Sequence, residues 1–361
     1  MLSQETKIIN LIQFLRKSRP DLIHDMDNSD HNYSIEFPSP FHSEGSVLQH
    51  VIMVMSEASK ANVSPMAAIA CLVHDLGKPM ARAVNEEKKR ISFIGHDGSS
   101  CYVMPQLLID LSLTDEEIEL MTVVVAKHQY LYEFFKEEVI SEKIIQKIAD
   151  KFTNYKEAFL ILLELAHCDN EGRLSSSKRV DIRSYFLPVA DRIKTKAPVV
   201  NKPYEIKILI GPQASGKSAY ASTQIGYTII SRDDSAVEFW KKTYSELTTD
   251  EIFDPAVDTL FNSKLTQAIK DRQNILVDKT NMTNKSQNRS LGQLPIEYKK
   301  TAVVFLKDYE QLKLDLLDRE LKTGKHISEY SLKKTVLNFQ CPMYDKFDQI
   351  EYKITHKGDI S

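Results

Sequence analysis

Residues 211–218, GPQASGKS, match the pattern G-x-x-x-x-G-K-[ST] at every fixed position. The octapeptide follows the β-branched run IKILI and precedes a helical stretch, so it lies between a predicted buried strand and a helix. Backbone N–H groups of such a turn bind phosphate oxygens. We expect the Lys217 ammonium to bridge the β- and γ-phosphates of a nucleoside triphosphate, and the Ser218 hydroxyl to bind Mg²⁺. The predicted nucleotide contacts come from Gly211, Ala214, Ser215, Gly216, Lys217 and Ser218.

The sequence on the two sides of residue 200 has different periodicity. Before it, apolar residues recur at helical spacing, as in VLQHVIMVMSEA. After it, the runs YTIIS, NILVD and TAVVFL alternate with helical stretches, which predicts a parallel sheet with crossover helices. The 361 residues are enough for two cores. We therefore predict an all-α domain over 1–200, with its motifs at 42–173, and an α/β P-loop domain with a helical lid over 201–361.

The overall charge argues against one class of partner. A net charge of −3 argues against tight binding to duplex nucleic acid, although not against a local basic groove that holds a strand end.

The four cysteines are scattered, which indicates reduced thiols in a cytoplasmic protein. No signal peptide and no membrane span is expected, since no apolar run approaches the ~18 residues that a span needs.

Histidines are concentrated in the first half of the chain, where eight of the ten lie. In AIACLVHDLGKP a small-residue apolar helix, predicted from Ser64 to Gly77, places His74 beside Asp75. Adjacent helical side chains point about 100° apart, so both reach one metal only near a helix end, which Gly77 permits. Imidazole and carboxylate groups bind divalent metals. Four more candidates lie at helix ends or on inner helix faces: His50, His96, His128 and Asp169.

The remaining features of this half are structural expectations. TDEE, residues 114–117, is a capping box that opens a helix reaching His128. Glu44 is a candidate for a group behind the metal ligands. The other early histidines, His24, His31 and His42, are expected at the surface.

The ordered set of histidines and aspartates resembles the HD phosphohydrolase superfamily over residues 40–175. The strings HSEGSVLQH, LVHDLGKP, FIGHDGSS and AHCDNEGR are most similar to the HD domains of some tRNA nucleotidyltransferases and polynucleotide kinases. The resemblance implies hydrolysis of phosphomonoesters or cyclic phosphodiesters by a pair of Mn, Ni, Co or Mg ions. It implies His50, His74, Asp75 and Asp169 as ligands of one metal, with His96 and His128 holding a second that shares Asp75. Lys78 and Arg173 would neutralise the phosphoryl oxygens.

The second half resembles the 5′-polynucleotide kinase branch of P-loop phosphotransferases over residues 204–345. The resemblance rests on the order of GPQASGKS, TIISRDDS, ILVDKTNMTNKSQNR and a basic helix–turn–helix lid. It implies Asp233 as the general base, with Mg-ATP or another nucleoside triphosphate as the phosphate donor. Asp278 and Thr280–Asn281 would organise the metal and phosphate side. Lid cations would come from Arg319, Lys322 or Lys325, and Arg289 is a weaker candidate.

One position departs from the kinase pattern. The family often has an arginine three residues after the catalytic aspartate, where it holds the terminal phosphodiester of the acceptor, but this chain has Ala236. Either Arg232 substitutes for it or the acceptor is held differently.

Taken together, the two halves resemble the bifunctional HD-domain polynucleotide kinases. The resemblance implies RNA end healing: removal of a 2′,3′-cyclic, 2′- or 3′-phosphate and phosphorylation of a 5′-hydroxyl. The partners would be single-stranded RNA or DNA ends, with an RNA ligase as a candidate. Two alternatives stay open, namely a metabolite enzyme that joins an HD nucleotidase to a nucleoside or small-molecule kinase, and a nucleotide-sensing regulator.

Overall fold

The computed structural model describes residues 3–134, 139–175, 181–196, 201–292 and 294–356. The chain divides into two compact units, residues 1–196 and 197–361. Among the helices in these ranges, none has both the length and the apolar character needed to cross a bilayer. All four cysteines are buried thiols.

The first unit is helical, with one short antiparallel hairpin. Its helices are α1 Gln4–Ser18, α2 Pro20–Asp27, α3 Val47–Lys60, α4 Pro65–Val73, α5 Lys78–Ala81, α6 His96–Val103, α7 Pro105–Asp110, α8 Asp115–Ala126, α9 Glu142–Lys151, α10 Lys156–Glu171 and α11 Ile182–Ala190. The hairpin consists of β1 Ala83–Asn85 and β2 Arg90–Ser92. Helix α10 is apolar on most of its surface and packs against α3, α4, α8 and α11. The core of the unit is therefore built around α10.

Local signals determine where these helices begin. The Ser64 side chain accepts a hydrogen bond from the Ala67 N–H, and Pro65 occupies the first turn of α4, where its missing N–H costs nothing. The capping box of Thr114 and Glu117 is present at the start of α8. The prediction for the end of α4 is wrong, because the helix stops at Val73 rather than at Gly77. Residues 74–77 form tight turns instead, and these turns carry the His–Asp pair.

The second unit is a five-stranded parallel sheet with helices between its strands. The strands are β3 Tyr204–Ile210, β4 Thr228–Ser231, β5 Ile275–Asp278, β6 Tyr298–Leu306 and β7 Gln349–Ile354, in the order β4-β5-β3-β6-β7. The helices are α12 Lys217–Ser222, α13 Arg232–Trp240, α14 Thr249–Ile252, α15 Pro255–Lys270, α16 Asn284–Leu291, α17 Tyr309–Thr323 and α18 Glu329–Leu337. The predicted helical and α/β classes are confirmed. The loops after β3, β4 and β5 leave the sheet at one edge, where open parallel sheets bind their ligands.

Candidate metal centre and candidate phosphate-binding site

Asp75 lies at the centre of a buried cluster that contains all six ligands predicted for the metal pair. The Nε2 atoms of His74, His96 and His128 lie 3.1, 3.2 and 3.7 Å from its carboxylate oxygens. The Nε2 atom of His50 lies 3.4 Å from Asp75 Oδ2 and 3.1 Å from Asp169 Oδ1. These residues come from α3, α6 and α10 and from the turns after α4 and α8, so the helix ends converge on one point.

Local hydrogen bonds set the tautomer of each imidazole. The Nδ1–H groups of His74, His96 and His128 donate to a carbonyl oxygen three residues earlier in the chain, over 3.0, 2.7 and 2.7 Å. His50 Nδ1 instead lies 2.7 Å from Glu44 Oε1. Because Nδ1 carries the proton in each ring, Nε2 presents its lone pair to the cluster.

Several polar atoms at the centre of the cluster are buried without a hydrogen-bond partner. They are His50 Nε2, His74 Nε2, Asp75 Oδ1 and Asp169 Oδ1, whereas Asp75 Oδ2 has the Lys78 ammonium 2.7 Å away. Leaving such atoms unsatisfied is costly, and a cation among them would remove that cost. Among the six predicted ligands, two triads have their ligand atoms within 4.8 Å of one another: His50, His74 and Asp169, and Asp75, His96 and His128. The donor set therefore fits a divalent metal pair.

The protonation states also suit metal binding. Burial alone would raise the pKa of Asp75, but the neighbouring His74 ring and the Lys78 ammonium hold it well below its usual range. Burial and the neighbouring His96 lower the pKa of His128 to about 3. The carboxylate is therefore ionised and the His128 ring neutral, which are the forms that bind a metal.

Two cationic side chains border the cluster at different depths. Lys78 is buried, and its Nζ lies 2.7 Å from Asp75 Oδ2 and 3.0 Å from His31 Nε2. Arg173 donates to Asn170 Oδ1 over 2.9 Å, and its guanidinium lies 5.1 Å from the centre of the Tyr132 ring. The Tyr132 hydroxyl, which the sequence analysis missed, donates to Asp169 Oδ2 over 2.8 Å.

The expectation that His31 and His42 lie at the surface is wrong. The loop between α2 and α3 covers the cluster, so His31 is only 4% exposed and stacks on His42 with 4.7 Å between ring centres. The His42 ring also packs edge-on against His50 at 4.6 Å. Glu44 has a fully buried side chain that contacts both His42 and His50, so it does lie behind a predicted ligand. His24 is exposed, as expected.

Gly77 lets α6 approach the His–Asp turn closely. Its φ of −83° is open to any residue, so the glycine is not needed for backbone conformation. A Cβ at this position would lie 2.3 Å from Ser99 Oγ, 2.4 Å from Ser100 N and 2.6 Å from His96 O. Gly77 therefore keeps the start of α6, and with it His96, beside Asp75.

In the second unit, the predicted phosphate-binding turn joins β3 to α12. Ala214 and Gly216 have positive φ values of 59° and 90°, which turn the backbone back on itself. The Lys217 ammonium is buried and donates to Pro212 O over 2.5 Å. Burial lowers the pKa of Lys217 to about 8, while Asp278 and Asp233 act in the opposite direction. The loop is thus closed around its own lysine.

Acidic residues from two neighbouring strands face this loop. The Ser218 hydroxyl donates to Asp278 Oδ2 over 2.8 Å, which joins the predicted Mg²⁺ ligand to the end of β5. Asp233 lies in the first turn of α13, after β4. Desolvation raises the pKa of Asp233 and repulsion by Asp278 adds to the effect, whereas a hydrogen bond from Tyr244 opposes it. A raised carboxylate pKa favours proton abstraction near neutral pH.

The structure brings two of the three predicted lid cations to this carboxylate. The Arg319 guanidinium and the Lys325 ammonium lie 5.3 and 5.1 Å from the centre of the Tyr244 ring, next to Asp233. Lys322 is not brought there, because its exposed ammonium pairs with Asp318 at 2.6 Å.

Three other residues singled out in the sequence, Asn281, Arg289 and Arg232, differ in their burial and in their hydrogen bonds. Asn281 is fully buried, donates to Leu209 O over 2.9 Å and accepts from Ser290 Oγ over 2.9 Å, so it joins the loop after β5 to β3. Arg289 is exposed on α16. Arg232 is buried and donates to Asp258 Oδ1 over 2.8 Å and to the Ile252 carbonyl.

Ala236 is fully buried against Leu247 and Val257. A residue at this position faces a small apolar core rather than solvent. Ala236 therefore does not face a position where it could hold an acceptor phosphodiester, and the Arg232 guanidinium is bound to Asp258 and to the Ile252 carbonyl.

A helical unit around a histidine–aspartate cluster, followed by a parallel sheet with a phosphate-binding loop, defines a protein that pairs a hydrolase-type domain with a P-loop kinase-like domain. Comparison with known families agrees: the HD domain family matches residues 47–155, and the AAA domain family matches residues 206–342. The predicted order, an HD module and then a P-loop module, is confirmed.

Several solved structures are similar to parts of the chain. A chain of the Pnkp1/Rnl/Hen1 RNA repair complex is 22% identical over 39% of this protein, with a TM-score of 0.34, and the match covers 45% of that chain. A second structure of the Pnkp1/Rnl/Hen1 complex is 20% identical over 33% of this protein and 40% of that chain, with a TM-score of 0.27. A gluconokinase from Sinorhizobium meliloti 1021 is 13% identical over 44% of this protein and 86% of that chain, with a TM-score of 0.29. The protein thus spans less than half the length of the first two chains that it matches.

Proposed function

We propose that this protein heals RNA ends. The HD domain would hydrolyse 2′,3′-cyclic, 2′- or 3′-phosphates, and the P-loop domain would transfer the γ-phosphate of a nucleoside triphosphate to a 5′-hydroxyl. One observation carries the proposal: a single chain holds a ligand cluster suited to phosphate removal and a loop with an adjacent carboxylate suited to phosphate addition. On one phosphate these activities would cancel, whereas on opposite ends of a broken strand they complement each other.

In the HD domain, the six clustered residues would hold the metal pair, which when bound supplies a nucleophilic water and polarises the phosphate. Lys78 and Arg173 would neutralise charge on the phosphoryl oxygens. Tyr132 would keep the Asp169 carboxylate turned towards the cluster through its hydrogen bond.

In the P-loop domain, Lys217 would move from Pro212 O to the phosphates of the donor, while Ser218 and Asp278 would hold Mg²⁺. The oxygen of the 5′-hydroxyl would bond to the γ-phosphorus as the nucleoside diphosphate leaves, and Asp233 would accept the proton of that hydroxyl. Arg319 and Lys325 would stabilise the charge on the transferred group.

The main test separates the two sites on one substrate, an RNA with a 5′-hydroxyl and a 2′,3′-cyclic phosphate. Lys217→Ala should abolish 5′-phosphorylation and leave removal of the terminal phosphate intact, and His74→Ala should do the reverse. Lys264→Ala is a matched control, because this lysine pairs with Glu238 on the surface of the second unit. The same proteins are also assayed on a free nucleoside and a free nucleotide.

Three outcomes would contradict the proposal. Activity confined to the free nucleoside and nucleotide would favour the metabolite enzyme. Loss of hydrolysis in a folded Lys217→Ala variant would favour the nucleotide-sensing regulator. Hydrolysis that persists in excess chelator would show that the reaction does not need a metal centre.

A further inference from the structure

Two aromatic rings, those of His31 and Phe93, lie beside the buried cluster of the HD domain. The Lys78 ammonium, 2.7 Å from Asp75 Oδ2, lies 5.6 Å from the centre of the Phe93 ring. The His31 ring lies 5.1 Å from the same ring. Phe93 is only half-buried, and the next residue, Ile94, is 84% exposed. Phe93 therefore connects the buried Lys78 and His31 side chains to the surface of the first unit.

A second set of aromatic residues, His42 and Phe41, lies between His50 and the surface. The His42 ring packs edge-on against His50, and the residue before it, Phe41, is 49% exposed. An exposed phenylalanine thus stands one residue from a ring that touches a predicted metal ligand.

The β1–β2 hairpin joins these aromatic residues to a set of cations. The Tyr33 hydroxyl donates to Glu86 Oε2 over 2.6 Å, and the Lys89 ammonium lies 4.2 Å from the centre of the Phe37 ring, which is 38% exposed. Three consecutive residues, Lys88, Lys89 and Arg90, are exposed, and none forms an ion pair with any residue that the structure describes. Three adjacent cations that form no ion pair with a described residue, beside a partly exposed aromatic ring, give this surface a local positive charge in a chain of net charge −3.

We propose that these residues form a binding surface for single-stranded polynucleotide, called here the end-binding surface and defined as Phe37, Phe41, Lys88, Lys89, Arg90 and Phe93. Exposed aromatic side chains stack nucleobases, and neighbouring cations follow the sugar–phosphate backbone. The surface would hold the last nucleotides before the terminal phosphate while that phosphate occupies the cluster. The inference rests on the proposed function and adds to it that the HD domain acts on strand ends rather than on mononucleotides.

The test compares hydrolysis of two substrates, an eight-nucleotide single-stranded RNA with a 3′-phosphate and a nucleoside 3′-monophosphate. We expect wild type to prefer the oligonucleotide in kcat/KM. Phe41→Ala should lower kcat/KM for the oligonucleotide by about 5- to 150-fold, the range for loss of one base–aromatic stack, and leave the mononucleotide unchanged. Lys89→Ala should reduce the slope of log KM against log salt by about 0.7, the value for one contact to a single strand.

Matched controls lie elsewhere on the first unit. Ile9 is an exposed apolar residue on α1, at 45%, and Lys60 is an exposed cation at the far end of α3, about 15 Å along the helix from His50. Ile9→Ala and Lys60→Ala should behave as wild type on both substrates. Thermal unfolding of every variant reports whether the first unit is folded.

The outcomes distinguish failure of the end-binding surface from failure of the proposed function. If wild type hydrolyses both substrates with equal kcat/KM, or if Phe41→Ala and Lys89→Ala leave the oligonucleotide rate unchanged, the end-binding surface is refuted while the proposed function stands. If both variants lose activity on the mononucleotide to the same extent, the residues support the cluster and not the strand, which also refutes the inference. If wild type hydrolyses neither substrate with any metal, the proposed function fails first.

Discussion

Replacing Gly77 by alanine tests how closely α6 must approach the His–Asp turn. The added Cβ would lie 2.3 to 2.6 Å from three atoms of α6, two of which, Ser100 N and His96 O, belong to the backbone. A backbone atom cannot rotate away, so the start of α6 must shift by about 1 Å. Overpacking of this kind costs about 1–3 kcal/mol, and the backbone contacts place this site near 3 kcal/mol.

The shift should be visible in thermal unfolding. For a unit of 196 residues each kcal/mol corresponds to about 2–4 °C, so the transition of the first unit should fall by about 6–12 °C. His96 begins α6 and moves with it, so metal binding and phosphate hydrolysis should weaken as well. The kinase rate should be unaffected, because the clash is confined to residues of the first unit.

Gly324→Ala provides the comparison. Its Cβ would meet nothing within 4 Å, but its φ of +71° disfavours alanine, so about 1 kcal/mol should be lost from the second unit alone. If the Gly77→Ala protein unfolds at the same temperature as wild type and hydrolyses phosphate at the wild-type rate, α6 does not lie against the turn.

Three further predictions concern side chains placed by the structure. Glu44→Gln should weaken metal binding by about 10- to 100-fold in equilibrium dialysis, because the amide holds the His50 ring less firmly than the carboxylate; unchanged affinity would refute this. Tyr244→Phe removes a hydrogen bond that stabilises the Asp233 carboxylate, so the pKa of Asp233 should rise and the acid limb of the kinase pH profile should move to higher pH; a static limb would assign the base elsewhere. Arg319→Ala should lower the kinase kcat by about 10³-fold in single-turnover assays, and an effect on KM alone would remove its role at the transferred phosphoryl group.

The sequence predicted best those features that depend on short-range chemistry. The phosphate-binding turn, the capping box at Thr114 and the buried helix that ends near Asp169 each follow from a local pattern. The six metal candidates could be found because histidine and aspartate at the ends of apolar helices have few structural uses.

Features set by long-range packing could not be predicted. The loop that buries His31 has no periodicity, so nothing in it indicated that it folds over the cluster. Only the rotation of α17 distinguishes Arg319 from Lys322, and that rotation is fixed by the helix's packing. Ala236 could be interpreted as a missing contact until the structure showed the residue buried against Leu247 and Val257.

The order of strands in the second unit has a consequence for synthesis of the chain. The central strand β3 pairs with β5, for example Ile206 with Ile275, and with β6, for example Tyr204 with Tyr298. The two partners lie about 70 and 94 residues later, so β3 leaves the ribosome long before either neighbour exists. At about 5–20 residues per second this strand remains unpaired for several seconds, while residues 1–196 are already complete and free to fold. During that interval the nascent β3 is an apolar strand without a pairing partner, which exposes it to aggregation.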